Sequence, residues 1–568
     1  MHTPPTPTPL PPTGYSTAWV FTFGTLGIAL IIATPLVATL WLALTPTEND
    51  WPQLLASVLP NYVFQTTLLL MGVGLLTLTL GTGAAWLVTM CTFPGRRFFT
   101  WGLLIPLAMP TYITAYAWVD LMEFAGPIQT NLRAFMGWQA PADYWFPPIR
   151  SLPGAIMIMG FVLYPYVYLT ARAAFLQQST GVLEVSRTLG RGSWSSFYSV
   201  ALPLARPALA AGLLLVLMEC LNDIGAVEHF GVRTLTIGIY DIWLERGNLG
   251  GAAQISAVML LFVLIIIALE RHTRRNQRYY TPASRYQHLP RHQLAGLKAV
   301  AALIGCTIPL TAGFLIPGAM LVWHAAHAPA NLEAALFAPA ASNSLLLAAT
   351  ATLIIVLAGL FLAYAGRLTR IALVQGVLRF ASIGYAIPGA ILAIGILIPL
   401  TTIDRLLDNV SQDLLGIGTG LIFTGSLMAI LFAYLVRFLA LSFNTMETGL
   451  NRVTPTMDMA ARNLGYSVPH ILWRVHFPLI RPAVLTAGLL VFVDTMKELP
   501  ITLILRPFNF DTLATHVYTV ASLGLLEQGA QAALIIVLAG LAPIIVLTLA
   551  ISNARPGYHG ISQRTASL

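Results

Sequence analysis

Charge is scarce in this chain. Of its 568 residues, 9% are Asp, Glu, Lys or Arg and 57% are hydrophobic. A soluble globular chain carries about 25% charged residues. No soluble core buries so much apolar chain, so a soluble enzyme is excluded and an all-α polytopic membrane protein is expected. Lysine is nearly absent. Lys298 in GLKAV and Lys497 in TMKEL are the two present, and neither follows a glycine. A P-loop needs Gly-Lys-Ser/Thr to reach phosphate, so any ATP hydrolysis belongs to another subunit. The three cysteines (Cys91, Cys220, Cys306) lack CxxC spacing, which argues against a disulfide framework or a zinc site. No Ser-His-Asp set or metalloprotease motif is present. Residues 1–18, MHTPPTPTPLPPTGYSTA, lack the basic n-region of a signal peptide. Their proline content predicts a disordered lead.

What the chain does have is long apolar runs. A span needs about 20 apolar residues. Twelve runs qualify: 19–44, 63–91, 99–122, 153–176, 207–227, 250–270, 297–323, 342–366, 377–401, 416–443, 483–505 and 530–552. With both termini inside, 22 of the 30 basic residues fall in cytoplasmic segments and 6 outside, and Arg437 and Lys497 lie within spans. That bias sets the expected orientation, with both termini cytoplasmic. The net charge of +8 then reflects topology, and no nucleic-acid partner is expected.

A stretch repeats. RTLGRGSWSSFYSVALPLARP (187–207) returns as RNLGYSVPHILWRVHFPLIRP (462–482), offset by 275 without a gap and identical at eight of 21 positions. The matches lie in a polar loop, where chance similarity between apolar helices does not reach. Two homologous six-helix halves are therefore expected, 19–270 and 297–552. A basic cytoplasmic linker at 271–296 joins them, and 553–568 forms a cytoplasmic tail. Each copy predicts a helix ended by a left-handed glycine, Gly190 or Gly465. A short amphipathic segment follows (Trp194, Phe197, Tyr198; Ile471, Leu472, Val475). An Arg-Pro then restarts the chain, since proline suits a first helical turn.

Glycine followed thirteen residues later by the proline of a Leu-Pro or Phe-Pro pair resembles the EAA loop of binding-protein-dependent ABC importer permeases. The resemblance implies a type I permease fold, with Glu184, Gly190 and Pro203, and Ala460, Ala461, Gly465 and Pro478, in segments that couple to a cytoplasmic ATPase dimer. The first copy has Glu184 at the acidic position. The second has Met459 there, with Asp458 one residue early. The stretches MECLNDIGAVEHFGVRTLTIGIYDIW (218–243) and TMKELPITLILRPFNFDTLATHVY (495–518) look like the fused permeases of ferric-iron importers. Thiamine, sulfate and polyamine importers have related permeases. The family implies a periplasmic solute-binding protein as second partner, and ATP and magnesium on the ATPase. No cofactor is expected on this chain.

The intramembrane acids form a second candidate site. Glu219 and Asp223 are four apart, as are Asp494 and Glu498 at the same offset of 275, so each pair is predicted to share a helix face. A carboxylate facing lipid costs about 3 kcal/mol or more. Four acids so placed argue for a water-accessible path favouring a cation, and oxygen ligands suit a hard ion such as ferric iron. Two other roles stand beside this one: Lys497 pairing with Asp494, and acids bonded to backbone in broken helices. Tyr112, Tyr116, Tyr164 and Tyr166 carry phenol oxygens, with aromatic packing the alternative. His324 and His327 are spaced to share a helix face, and no residue is assigned to a metal. Pro106, Pro110 and Pro388 predict kinks.

The resulting expectation is a transport subunit of the bacterial inner membrane, not an enzyme, importing ferric iron by alternating access. Thiamine or another small solute is the alternative cargo. A secondary transporter also uses internal repeats, but leaves the paired cytoplasmic loops without a role.

Overall fold

The computed structural model describes residues 15–45, 51–178, 193–274, 291–327, 330–369, 371–382, 384–451 and 453–553. Among them, eleven helices are long and apolar enough to cross a membrane. In chain order they are α1 (Trp19–Leu44), α2 (Leu59–Met90), α3 (Leu152–Leu176), α4 (Phe197–Asn222), α5 (Leu249–Thr273) and α6 (Leu297–His327). Then come α7 (Phe337–Leu368), α8 (Gly389–Leu415), α9 (Leu427–Leu450), α10 (Leu472–Met496) and α11 (Leu526–Val546). A twelfth crossing is possible only as a bent pair, Arg96–Ala108 with Thr111–Met136, at 91°. This is where the third span, 99–122, was expected, with kinks at Pro106 and Pro110. Pro106 and Pro110 stand at the break, where each removes a helical N–H and crowds the preceding turn. Large apolar side chains stay exposed on these helices, Trp41 on α1 and Phe64 on α2 among them, as a bilayer-facing surface requires.

Several spans differ from the expected ones. The apolar run from 416 does not open a helix. Gly416, Gly420 and Gly425 have φ of 67°, 61° and 75°, and buried Asp404 accepts bonds from the amides of Ile422, Phe423 and Thr424 at 3.1, 2.9 and 2.8 Å. This glycine-rich turn holds the chain off the helix until Leu427. The ninth expected span starts late, at Gly389, because Pro388 separates it from an amphipathic helix at Ala372–Ala381.

The fifth and eleventh expected spans begin earlier and end earlier than predicted. Their first residues, 197–201 and 472–476, form a wide π-helical turn at the same offset of 275. The amide of Leu202 bonds the carbonyl of Phe197, five residues back, and Phe477 bonds Leu472 likewise. A proline follows one residue later in each copy. Its ring would crowd the carbonyl four residues back, and the wide turn relieves that clash. Pro207 and Pro482 consequently lie inside running helices, and the chain does not restart at Arg-Pro.

The chain forms two compact units, and neither is a single stretch of sequence. One comprises Met1–Trp41, Ser344–Met496 and Leu505–Asn509; the other comprises Leu42–Asn343, Lys497–Ile504 and Phe510–Leu568. Within the first, α1 meets α8 where Gly395 lies against the carbonyl of Pro35. Gly449 of α9 packs on α10, where a Cβ would stand 2.6 Å from that of Ala483.

Within the second, α2 and α3 approach through Gly81. A Cβ there would lie 2.7 Å from Val167 Cβ and 2.9 Å from the Tyr164 carbonyl. Small residues let membrane helices come this close. In the same unit, Cys91–Thr92 pairs in parallel with His292–Gln293, so the end of the expected linker is held as a short strand. Residues 275–290 of that linker, like 1–14 and 554–568, lie outside the described residues.

Candidate functional site

The second copy of the repeat, expected to couple to an ATPase, is described along its whole backbone from Val453. Its first helix is Pro455–Asn463. The helix ends as expected at a left-handed glycine: Gly465 has φ 81°. Its amide bonds the Arg462 carbonyl at 2.9 Å, and the amide of Tyr466 bonds that of Ala461 at 3.2 Å. This pair of bonds is the Schellman arrangement, which satisfies the last helical carbonyls. Asp458 and Ala461, three apart on one face, are buried, whereas Met457, Met459 and Ala460 face outward. A second short helix, Val468–Ile471, runs through the π turn into α10, with Pro478 at its second residue after the turn.

Of the first coupling segment, Glu184 and Gly190 lie outside the described residues. The part that follows mirrors the second copy. Ser193–Ser196 leads through the π turn into the helix that holds Pro203. Phe197 is buried against Trp86 and Phe175, with ring centroids at 4.8 and 6.5 Å. Gln178 donates to the Ala201 carbonyl at 2.8 Å.

The paired acids do not share helix faces. α4 ends at Asn222 and Asp223 is extended, with ψ 122°. α10 ends at Met496, two residues short of Glu498. Glu219 and Asp494 stay on their helices, half-buried. Asp223 and Glu498 take an equivalent place in each copy, as acids that cap a short helix. Asp223 accepts from the Ala226 amide at 2.8 Å, opening Gly225–His229, and from the Thr111 hydroxyl. Glu498 accepts from the amides of Ile501 and Thr502 at 3.1 and 3.2 Å, opening Pro500–Leu505. An anionic oxygen at a helix start satisfies its orphan donors. Their positions in the chain, at broken helices, are why the i, i+4 rule failed.

Around Asp223 lies a buried aromatic group. Tyr112 and Tyr116 are one turn apart, with ring centroids at 5.9 Å, and neither phenol oxygen has a partner. A Cβ at Gly225 would stand 2.7 Å from Tyr112 Cβ and 3.1 Å from the Tyr116 hydroxyl. Asp223, Lys497 and Glu498 are the charged groups acting on the Tyr112 hydroxyl. Elsewhere in this unit, His324 bonds Asp120 at 3.0 Å beside a cavity of about 520 Å³ lined also by Glu123 and Trp323. His327 bonds the Trp323 carbonyl instead. The two histidines thus have separate partners. Among the described residues no cluster of three or more His, Cys, Asp or Glu is arranged to hold a metal.

Sequence reasoning missed a buried cluster behind the second segment. Arg367, near the end of α7, donates to Asp458 Oδ2 at 2.9 Å and to the carbonyls of Leu450 and Val453 at 2.8 and 3.0 Å. His476 Nε2 lies 2.5 Å from Asp458 Oδ1. Burial alone would raise the Asp458 pKa. Hydrogen bonds from His476 and Arg367 outweigh it and hold the carboxyl below its ordinary range. The signal in the sequence was the acid displaced by one residue in the second copy.

Against this geometry, residues 77–279 match the family described as "Binding-protein-dependent transport system inner membrane component". The permease match takes in the first coupling segment, the π turn at 197–201, Glu219 and Asp223. Over longer stretches the chain resembles the Fe(3+)-transport system permease protein FbpB 2 of Haemophilus influenzae. The two are 25% identical over 495 residues, covering 85% of this chain and 88% of the relative. The molybdenum transport system permease protein ModB of Escherichia coli is 26% identical over 210 residues, 36% of this chain and 88% of the relative. A probable sulfate transport system permease protein of Chlorella vulgaris is 25% identical over 232 residues, 39% and 84%. The chain is thus similar to inner-membrane permeases of binding-protein-dependent transport, with ferric, molybdenum and sulfate permeases among its relatives.

Proposed function

We propose that this permease imports ferric iron, delivered by a periplasmic binding protein and driven by a cytoplasmic ATPase dimer that binds ATP and magnesium. The observation carrying the cargo is coverage. The likeness to the ferric permease runs through 85% of this chain, whereas the molybdenum relative matches 36%. The same contrast supports two homologous halves, 19–270 and 297–552, because a relative matched over 88% of its own length aligns with about half the span of the longer match. The termini face the cytoplasm, as the basic residues require.

The halves rock by alternating access, moved through Glu184, Gly190 and Pro203 in one segment and Ala460, Ala461, Gly465 and Pro478 in the other. Glu219, Asp223, Asp494 and Glu498 line the path. Their charge favours a cation over an anion such as the sulfate named for one relative, since a like charge near an anion is repulsive. The chain supplies path and levers and does no covalent chemistry.

The test is ATP hydrolysis by the permease reconstituted with a candidate ABC ATPase from the same cell. A candidate binding protein is added empty, or loaded with ferric iron, molybdate or thiamine. Stimulation by the ferric form alone supports the proposal. Stimulation by another load keeps the importer and removes iron. Failure to hold any ATPase would bring forward a secondary transporter with internal repeats.

A further inference from the structure

The second coupling segment is fastened from inside. Tyr364 and Arg367 lie three apart near the end of α7, on one helix face. The Tyr364 hydroxyl donates to the Val468 carbonyl at 3.2 Å, where the segment's second short helix begins. Arg367 reaches three places: the last turn of α9 at Leu450, the connection at Val453, and Asp458 in the first turn of Pro455–Asn463. Asp458 passes the link on to His476, the last residue of the π turn that leads into α10. His476 is 1% exposed, its ring lies 5.5 Å from that of Tyr364, and its Nδ1 has no partner. One helix end therefore grips four successive elements through a phenol, a guanidinium, a carboxylate and an imidazole.

In sequence, the first copy lacks the acid and the imidazole of this grip at the equivalent positions. At the offset of 275, Asp458 and His476 correspond to Leu183 and Ala201. Around Ala201 the first copy uses apolar packing of Phe197 and an amide bond from Gln178. Glu184, the acid of the first copy, has the outward-facing Met459 as its counterpart. The acid of the second segment thus stands one residue earlier in the repeat, on the buried face of its helix.

We propose that Arg367, Asp458 and His476 are positioning residues that make the second coupling segment a rigid lever on α7, so that its acid transmits motion and does not contact the ATPase. This rests on the coupling reading above. Rigid attachment matters because a lever that yields at its root absorbs the movement it should pass on. Asp458 meets that need with both oxygens engaged, a geometry that a surface contact with a partner would have to dismantle.

The test uses the whole transporter in proteoliposomes, with the ATPase and the loaded binding protein. Asp458→Asn keeps the size of the side chain and leaves Arg367 without its counter-charge. Arg367→Lys keeps the charge and loses the fork that reaches two carbonyls, and it carries the test should Asp458→Asn fail to insert. Two quantities are read: ATPase retained on purification, and substrate imported per ATP hydrolysed. The expected result is ATPase retention equal to wild type. Import per ATP falls by about tenfold or more in Asp458→Asn, a scale set by a buried guanidinium left unpaired, and Asp458→Glu restores part of it. A ratio unchanged in both variants would overturn the proposal. So would loss of the ATPase in proportion to the loss of import, because Asp458 would then be a docking residue. A wild-type chain that retains no ATPase would instead defeat the coupling reading beneath it.

Discussion

Gly465→Val isolates backbone geometry at the coupling segment. Gly465 has φ 81°, and a Cβ added there meets nothing within 4 Å. No steric clash with neighbours can therefore account for an effect. What remains is the cost of the left-handed conformation, about 1–2 kcal/mol for a residue with a Cβ and more when it is β-branched. That cost is equivalent to about a 5- to 30-fold loss in the population of the correct loop end. The amides of Gly465 and Tyr466 would lose their carbonyl partners, and the short helix after them would leave its place. The assay is substrate imported per ATP in proteoliposomes, for Val, Ala and Asn at this position. Asparagine tolerates the left-handed region, so the expected order is Gly, then Asn, then Ala, then Val. Asparagine as damaging as valine would refute the conformational reasoning. Valine equal to wild type would remove the loop end from the coupling route.

Gly81→Val brings a Cβ against Val167 and the backbone of Tyr164 and Tyr168. It should lower thermal stability in detergent by about 1–3 kcal/mol, as overpacking does. Asp404→Ala strands three amides at about 1–3 kcal/mol each, and limited proteolysis should then cut within 416–426. The clamp at Asp458 also has a pH signature. Its carboxyl is held below the ordinary range, so its stabilisation is complete above about pH 4 and fades as pH falls through the lower folded value. Arg367, His476 and Tyr364 face it, with Arg462 nearby. Stability of the purified permease that does not fall more steeply in wild type than in Asp458→Asn as pH drops below about 4 would contradict this sign.

The sequence announced the membrane class, the repeat and Gly465 because each is written locally: apolar length, an ungapped offset, a glycine where a helix must stop. It did not announce where helices break inside apolar runs. Periodicity saw the four-residue spacing of Glu219 and Asp223 and assumed a continuous helix. The structure ends that helix at Asn222 and turns the second acid into a cap. In the same way GIGTGLIFTG reads as membrane-spanning by hydropathy, yet its glycines and Asp404 make it a turn. The Arg367 cluster was missed for a different reason. Its members are 91 and 18 residues apart, and the displaced acid at Asp458 hinted at a changed role without pointing to Arg367 or His476 as its partners.

The central claim is that this chain carries ferric iron on energy supplied by a partner. The most direct measurement is accumulation of radiolabelled ferric iron inside proteoliposomes holding the permease and its ATPase. Iron-loaded binding protein is placed outside and ATP is trapped inside. Accumulation that needs all three components, and that unlabelled ferric protein but not molybdate-loaded protein suppresses, is the expected result. Accumulation driven by an ion gradient without the ATPase, or none while molybdate or thiamine enters, would contradict it.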